Sequence, residues 1–181
     1  MHQQSNIQLI LDKISGILDA TDDSYHEKLA QMLDEASRIF VSGAGRSGLV
    51  GRFFAMRLMH SGYDVSLVGE IVTPSIKEGD LLIIISGSGE TEQLIAYTKR
   101  AKTVGAKILL LSAKSDSTIG DLADATFQIG SEEQYGKVKG MPMGTVFELS
   151  TLTFLEALIS NIIWEKGIAE EEMRSRHANL E

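Results

Sequence analysis

The sequence predicts an α/β protein: a three-layer, doubly wound, five-stranded parallel sheet preceded by N-terminal helices. Three observations predict it. From Arg38 onward, short apolar runs alternate with helical stretches, the order that builds a parallel sheet with helices on both faces. Leu81-Leu82-Ile83-Ile84-Ile85 is a continuous apolar run with the character of an interior parallel strand. Glycine-rich turns follow Val41 and Ile85, at the strand ends where such sheets bind ligands.

The elements follow in order. Ile7, Ile10, Leu11, Ile14, Ile17 and Leu18 recur at helical spacing and mark one face of an amphipathic helix. A second helix is expected over 24–36. Ile39-Phe40-Val41 reads as a strand, 47–61 as a helix, 65–68 and then Leu81–Ile85 as strands, 90–104 as a helix and 108–111 as a strand. A short helical stretch over 119–123 leads to a fifth strand at 127–129. The apolar stretch over 143–164 contains Glu148, Glu156 and Asn161, which hydrocarbon would penalise, so it predicts a core helix. The acidic run Glu170-Glu171-Glu172 starts a solvated final helix. Pro74 and Pro142 are the only prolines and no repeat or low-complexity tract interrupts the chain. The expectation is one domain over 1–181: helices over 1–36, a sheet core over 37–166 and a C-terminal helix over 167–181.

With 181 residues and 43% apolar content, the chain is long enough to bury a substantial core. A net charge of −8 argues against nucleic-acid binding, since Arg46, Arg52, Arg57, Lys137 and Lys139 are scattered rather than gathered in a stripe. There is no cysteine, which excludes disulfides and thiolate metal sites, and Met1-His2-Gln3-Gln4-Ser5 lacks the pattern of a signal peptide. A cytoplasmic protein without membrane attachment is expected. No His, Asp or Glu pair shows a metal-ligand spacing, so no metal is expected.

The chemistry-bearing residues gather at two turns and one helix start. Ser86-Gly87-Ser88-Gly89-Glu90-Thr91 follows the apolar strand with two glycines and three hydroxyls before a helix, a seat suited to a phosphate dianion. The alternative is that Ser88 or Thr91 only caps the helix, with Glu90 and Glu92 in its first turn. Ser42-Gly43-Ala44-Gly45-Arg46-Ser47-Gly48 contains G-x-G-x-x-G after the first strand, with Glu70 after the second, as a dinucleotide site would require. The competing reading is a turn that wraps a small ligand, with Arg46 contacting a phosphate or an enediolate oxygen; a merely solvated Arg46 is a third. Glu148, at the start of the long apolar helix, is a candidate base, or else a first-turn acid that complements the helix dipole. His60 and His177 are candidate proton relays, with His60 alternatively a helix C-terminal cation; His2 and His26 are expected at the surface.

Taken in this order, the two Ser/Gly turns and the Glu148 helix resemble the sugar isomerase (SIS) domain family over nearly the whole chain. Arg46-Ser47-Gly48, Arg57-Leu58-Met59-His60, the run from Gly140-Met141-Pro142-Met143-Gly144 to Glu148, and the ending Arg176-His177-Ala178-Asn179-Leu180-Glu181 are similar to its 6-phospho-3-hexuloisomerase branch. The resemblance implies a flavodoxin-like sheet, a homotetramer, and neither metal nor cofactor. It implies interconversion of 3-hexulose 6-phosphate and fructose 6-phosphate, the second step of ribulose monophosphate formaldehyde fixation, coupled to a 3-hexulose-6-phosphate synthase. Carried over by position, Ser86, Gly87, Ser88, Gly89 and Thr91 would hold the phosphate. Ser42, Gly43, Gly45, Arg46 and Ser47 would lie near the sugar, and Glu148 would be the base. His177 or His60 would assist ring opening, with a neighbouring subunit as its source. Two alternatives stay open: another SIS isomerase, acting on arabinose 5-phosphate or sedoheptulose 7-phosphate, and a non-catalytic sugar-phosphate sensor. Such sensors usually add a DNA-binding helix-turn-helix, and the 1–36 region offers no basic recognition helix.

Overall fold

The computed structural model describes residues 5–135, 141 and 145–180. Of the 140–144 run that carries part of the resemblance, all but Met141 lie outside the described residues, as does His2. Two helices, α1 (Asn6–Asp19) and α2 (Ser24–Glu35), precede β1 (Ile39–Gly43), α3 (Gly45–His60), β2 (Val65–Leu67), β3 (Leu81–Ile85) and α4 (Glu92–Thr103). Then come β4 (Lys107–Ser112), α5 (Thr118–Leu122), β5 (Ala125–Gln128), a 3-10 turn (Glu132–Tyr135), α6 (Thr145–Lys166) and α7 (Glu170–Ser175). Apart from the 3-10 turn, which is not among the expected elements, the elements match those predicted, with ends shifted by a few residues. β5 begins two residues before the expected 127, and α7 ends at Ser175, so His177 follows that helix rather than lying within it.

All strand pairs are parallel, in the order β2-β1-β3-β4-β5. The order reverses between β1 and β3, which places the ligand crevice at their carboxyl ends. Period-two alternation divides the buried strand residues between two cores. Ile39, Val41, Leu81, Ile83, Ile85, Leu109 and Leu111 face α1, α2, α3 and α6. Phe40, Leu82, Ile84, Ile108 and Leu110 face α4 and α5. The N-terminal helices are no appendage, because Ile17, Leu29 and Leu33 are at most 1% exposed within the first core. As expected, α6 is a core helix: Phe154, Leu155, Leu158, Ile159 and Ile162 are buried, although its length and hydropathy would suit a membrane span. His26, expected at the surface, is half-buried instead, with Nε2 3.0 Å from the Phe154 carbonyl oxygen and its ring 4.3 Å from that of Phe154.

At the amino end of the sheet, Asp80 is buried and accepts from Arg38 Nη2 (2.7 Å), Arg38 Nε (3.3 Å) and the Lys77 amide (2.8 Å). Arg38 Nη2 also donates to the Ser75 carbonyl. This cluster ties the long β2–β3 connection to the strand bottoms. Arg38→Met should destabilise the fold by about 3 kcal/mol, because it strands a buried carboxylate. Adding Asp80→Asn should recover part of that loss, as read by urea unfolding; a double variant less stable than Arg38→Met would contradict this account.

Candidate active site

The first turn is shaped by close approach. A Cβ on Gly43 would lie 2.9 Å from the Gly48 nitrogen and the Ser47 carbonyl, and one on Gly48 would lie 2.7 Å from the Gly43 oxygen. Gly51 meets Val41 in the same way, at 3.1 Å. The glycine spacing therefore docks the first turns of α3 on β1, while Gly45, at φ +54°, turns the corner between them. This accounts for G-x-G-x-x-G without a dinucleotide. Glu70, the acid sought for a ribose, is ion-paired with Arg52 of α3 at 2.6 Å.

The second turn opens beside it, since Ser42 and Gly43 pair in register with Ile84 and Ile85. Ser86 is buried and its Oγ accepts from the Gly89 amide at 3.1 Å; exposed Ser88 accepts from the Glu90 amide at 3.2 Å. Thr91 is the N-cap residue of α4 but makes no side-chain cap bond, so the capping alternative does not describe it. Of the two acids in that alternative, Glu92 does lie in the first turn of α4, whereas Glu90 precedes the N-cap and bonds elsewhere. Its carboxylate accepts from the amide and hydroxyl of Thr118, at 2.8 and 2.7 Å, at the start of α5. Those two bonds hold it below the usual carboxylate range. Sequence reasoning missed this bridge because it spans two loops; G-E-T was visible, its target was not.

The long apolar helix delivers Glu148 to this rim. Phe147 packs over Gly87, where an added Cβ would lie 3.1 Å from the ring, and Glu148 follows it, 8% exposed. Arg46 Nε donates to Glu148 Oε2 at 3.1 Å, joining two residues singled out in sequence and 102 positions apart. Arg46 keeps more than half of its side chain exposed while Glu148 is buried. Arg46, Glu148, Leu49, Phe53, Leu149 and Leu152 line a shallow hollow of about 180 Å³. Ligand pockets usually enclose about 300–1,000 Å³, so this hollow, as lined by the described residues, is smaller than a typical ligand site.

The histidines lie elsewhere. His60 ends α3, is buried, and its ring stacks on that of His177 at 5.2 Å; Arg176 Nη1 donates to the His60 carbonyl at 3.0 Å. Burial, with the neighbouring charges of His177 and Arg57, holds His60 below its ordinary imidazole value. The pair shares a cleft with Phe53, Met56 and Arg57. Along α3, His60 is about 21 Å from Arg46 at the helical rise of ~1.5 Å per residue. The structure thus brings His60 and His177 together but not to the Glu148 of their own chain.

The family model for the SIS domain matches residues 32–160. A protein of Methylomonas aminofaciens named 3-hexulose-6-phosphate isomerase is 52% identical over 96% of this chain and 97% of its own length. Another of that name, from Bacillus subtilis, is 43% identical over 86% of each chain. Among solved structures, a hypothetical protein of Methanococcus jannaschii superposes with a TM-score of 0.87, at 36% identity, over 97% of this chain and 98% of its own. Its crystal structure was described as inferring a molecular function of 3-hexulose-6-phosphate isomerase. With matched sequence spanning both turns and most of the Glu148 helix, on the sheet order the turns require, this chain belongs to the SIS domain family.

Proposed function

We propose that this protein is a 6-phospho-3-hexuloisomerase, interconverting D-arabino-3-hexulose 6-phosphate and fructose 6-phosphate. The observation that carries the chemistry is the buried Glu148 carboxylate, bonded to Arg46 beside the hydroxyl-rich turn of β3. The relatives named above favour this substrate over arabinose 5-phosphate or sedoheptulose 7-phosphate, and over a sensor without catalysis. In our reading the phosphate sits on Ser86, Ser88, Thr91 and the open first turn of α4, and the sugar lies toward Ser42, Gly43 and Ser47. Glu148 takes the proton from C2, giving a 2,3-enediolate; the hydroxyl proton passes from O2 to O3, and Glu148 returns its proton to C3, leaving the carbonyl at C2. Oε2 accepts from Arg46, and Oε1 is without a recorded partner among the described residues. The Arg46 guanidinium stabilises the enediolate oxygen, a type of contact worth about 3 kcal/mol in the transition state. No metal or cofactor is required by this route. The reaction serves formaldehyde fixation in the cytoplasm, after a 3-hexulose-6-phosphate synthase, and residues 1–181 act as one domain.

The proposed assembly is built on α3. Leu49, Phe53 and Met56 form an exposed apolar stripe, between 49% and 65% accessible, running from the Arg46–Glu148 hollow to the His60–His177 cleft. Phe53 lines both hollows and stands seven residues from Arg46 and from His60. A two-fold contact of α3 with the α3 of a second copy, centred there, would set one chain's histidines against the other's Glu148. Ile7, Leu11 and Trp164, exposed on α1 and α6, offer apolar surface for the second contact of a tetramer.

In a coupled assay with the synthase, ribulose 5-phosphate and formaldehyde, the protein should form fructose 6-phosphate, and Glu148→Gln should lose turnover by about 10³-fold or more while keeping phosphate affinity. Near-normal turnover in Glu148→Gln excludes it as the base. Phe53→Asp should lower the oligomeric state in light scattering and reduce activity with it; an unchanged assembly would refute the α3 contact. The 3-ketose cannot close a five-membered ring through its phosphorylated O6, so only fructose 6-phosphate needs ring opening. His60→Ala and His177→Ala should therefore slow the reverse reaction more than the forward one in pre-steady-state measurements, whereas equal losses would remove both from ring opening.

A further inference from the structure

Two helix N-termini flank the 86–91 turn, and the structure treats them differently. At α5 the early donors are spent within the chain: the Thr118 amide on Glu90, the Ile119 amide on the Gly89 carbonyl at 3.1 Å, and the Gly120 amide on Ser117 Oγ at 3.1 Å. At α4 the N-cap Thr91 supplies no side-chain acceptor, and the first-turn amides of Glu92, Gln93 and Leu94 have no intrahelical acceptor by geometry. A carboxylate beside a dianion site is unfavourable unless its charge is engaged elsewhere. Both oxygens of Glu90 are engaged, by the amide and the hydroxyl of Thr118.

We propose that Glu90 is a positioning residue for the phosphate seat: clamped on Thr118, it fixes the 86–91 turn against the start of α5. Its carboxylate is thereby directed at Thr118 while the hydroxyls and the first turn of α4 stay preorganised for the phosphate. Two further contacts show how closely the loops are fitted. Gly89, at φ +64°, sits where a Cβ would fall 2.1 Å from Ser117 Oγ, and its carbonyl accepts from Ile119. Gly89 thus brings the backbones together, and Glu90 joins them by a bridge between side chain and main chain. The proposal rests on the phosphate reading of this turn given above.

The test compares Glu90→Ala, Glu90→Gln and Ser88→Ala in the full-length protein. The readouts are KM and kcat for the hexulose phosphate, inhibition by inorganic phosphate, and amide hydrogen exchange. Glu90→Ala should raise KM and the phosphate inhibition constant by about tenfold, with kcat changed by less than about twofold and faster exchange over 86–91 and 118–120. Glu90→Gln retains an acceptor for Thr118 without the charge, so it should bind phosphate as well as the natural protein or better. If charge repulsion governs instead, Glu90→Ala will tighten phosphate binding, and the proposal falls. It falls also if Glu90→Ala changes neither constant while Ser88→Ala raises both, which leaves the seat intact. Constants unmoved by Ser88→Ala overturn the phosphate reading itself, and the positioning role with it.

Discussion

β1 and β3 run side by side, in register from Ile39↔Leu81 to Gly43↔Ile85, while β2 lies beyond one and β4 and β5 beyond the other. The rest of the site depends on this reversal. Because the two strands end at the same level, their turns open next to each other, with backbones about 4.8 Å apart. The helices that follow leave toward opposite faces: α3 packs in the core with α6, and α4 in the core with α5. Two turns from distant stretches of chain thus share one crevice, held by strand hydrogen bonds rather than by loop contacts.

The heavier face adds the acid. A helix as apolar as α6 is fixed by its core residues, so the orientation of its first turn follows from burial farther along, at Phe154, Leu155, Leu158 and Ile159. That burial places Phe147 on Gly87 and Glu148 on Arg46, linking the α6 start to both turns. Taking a carboxylate out of water is costly unless it is paired, and the guanidinium of Arg46 offsets the cost while keeping most of itself in solvent. On the lighter face the exposed Glu90 serves differently: it satisfies the start of α5 and leaves the start of α4 open.

α3 has two apolar faces with different roles. Val50, Phe54, Ala55 and Leu58 are buried against the sheet and α6, whereas Leu49, Phe53 and Met56 face outward. A surface helix normally keeps its outer face polar, so this second apolar stripe between two hollows supports the proposed contact between copies.

Much of this was legible in the sequence, for physical reasons that differ from part to part. The apolar run of β3, the period of α1 and the glycine-rich turns report local conformation, and local conformation is written in local residues. The five parallel strands, the core character of α6 and the positions of Ser86, Ser88 and Thr91 at a strand end followed from them. Period and composition carry no record of which distant residues meet. Only tertiary packing decided that Arg46 would bond Glu148, that Glu90, in the turn before α4, would reach across to Thr118, and that His26 would tuck against Phe154. It likewise stacked His60 on His177, about 21 Å along α3 from Arg46, since a helix of fixed rise keeps its two ends apart. The sequence by itself determined the elements and the chemistry at their ends; the order of strands and the burial of helix faces decided which ends come together.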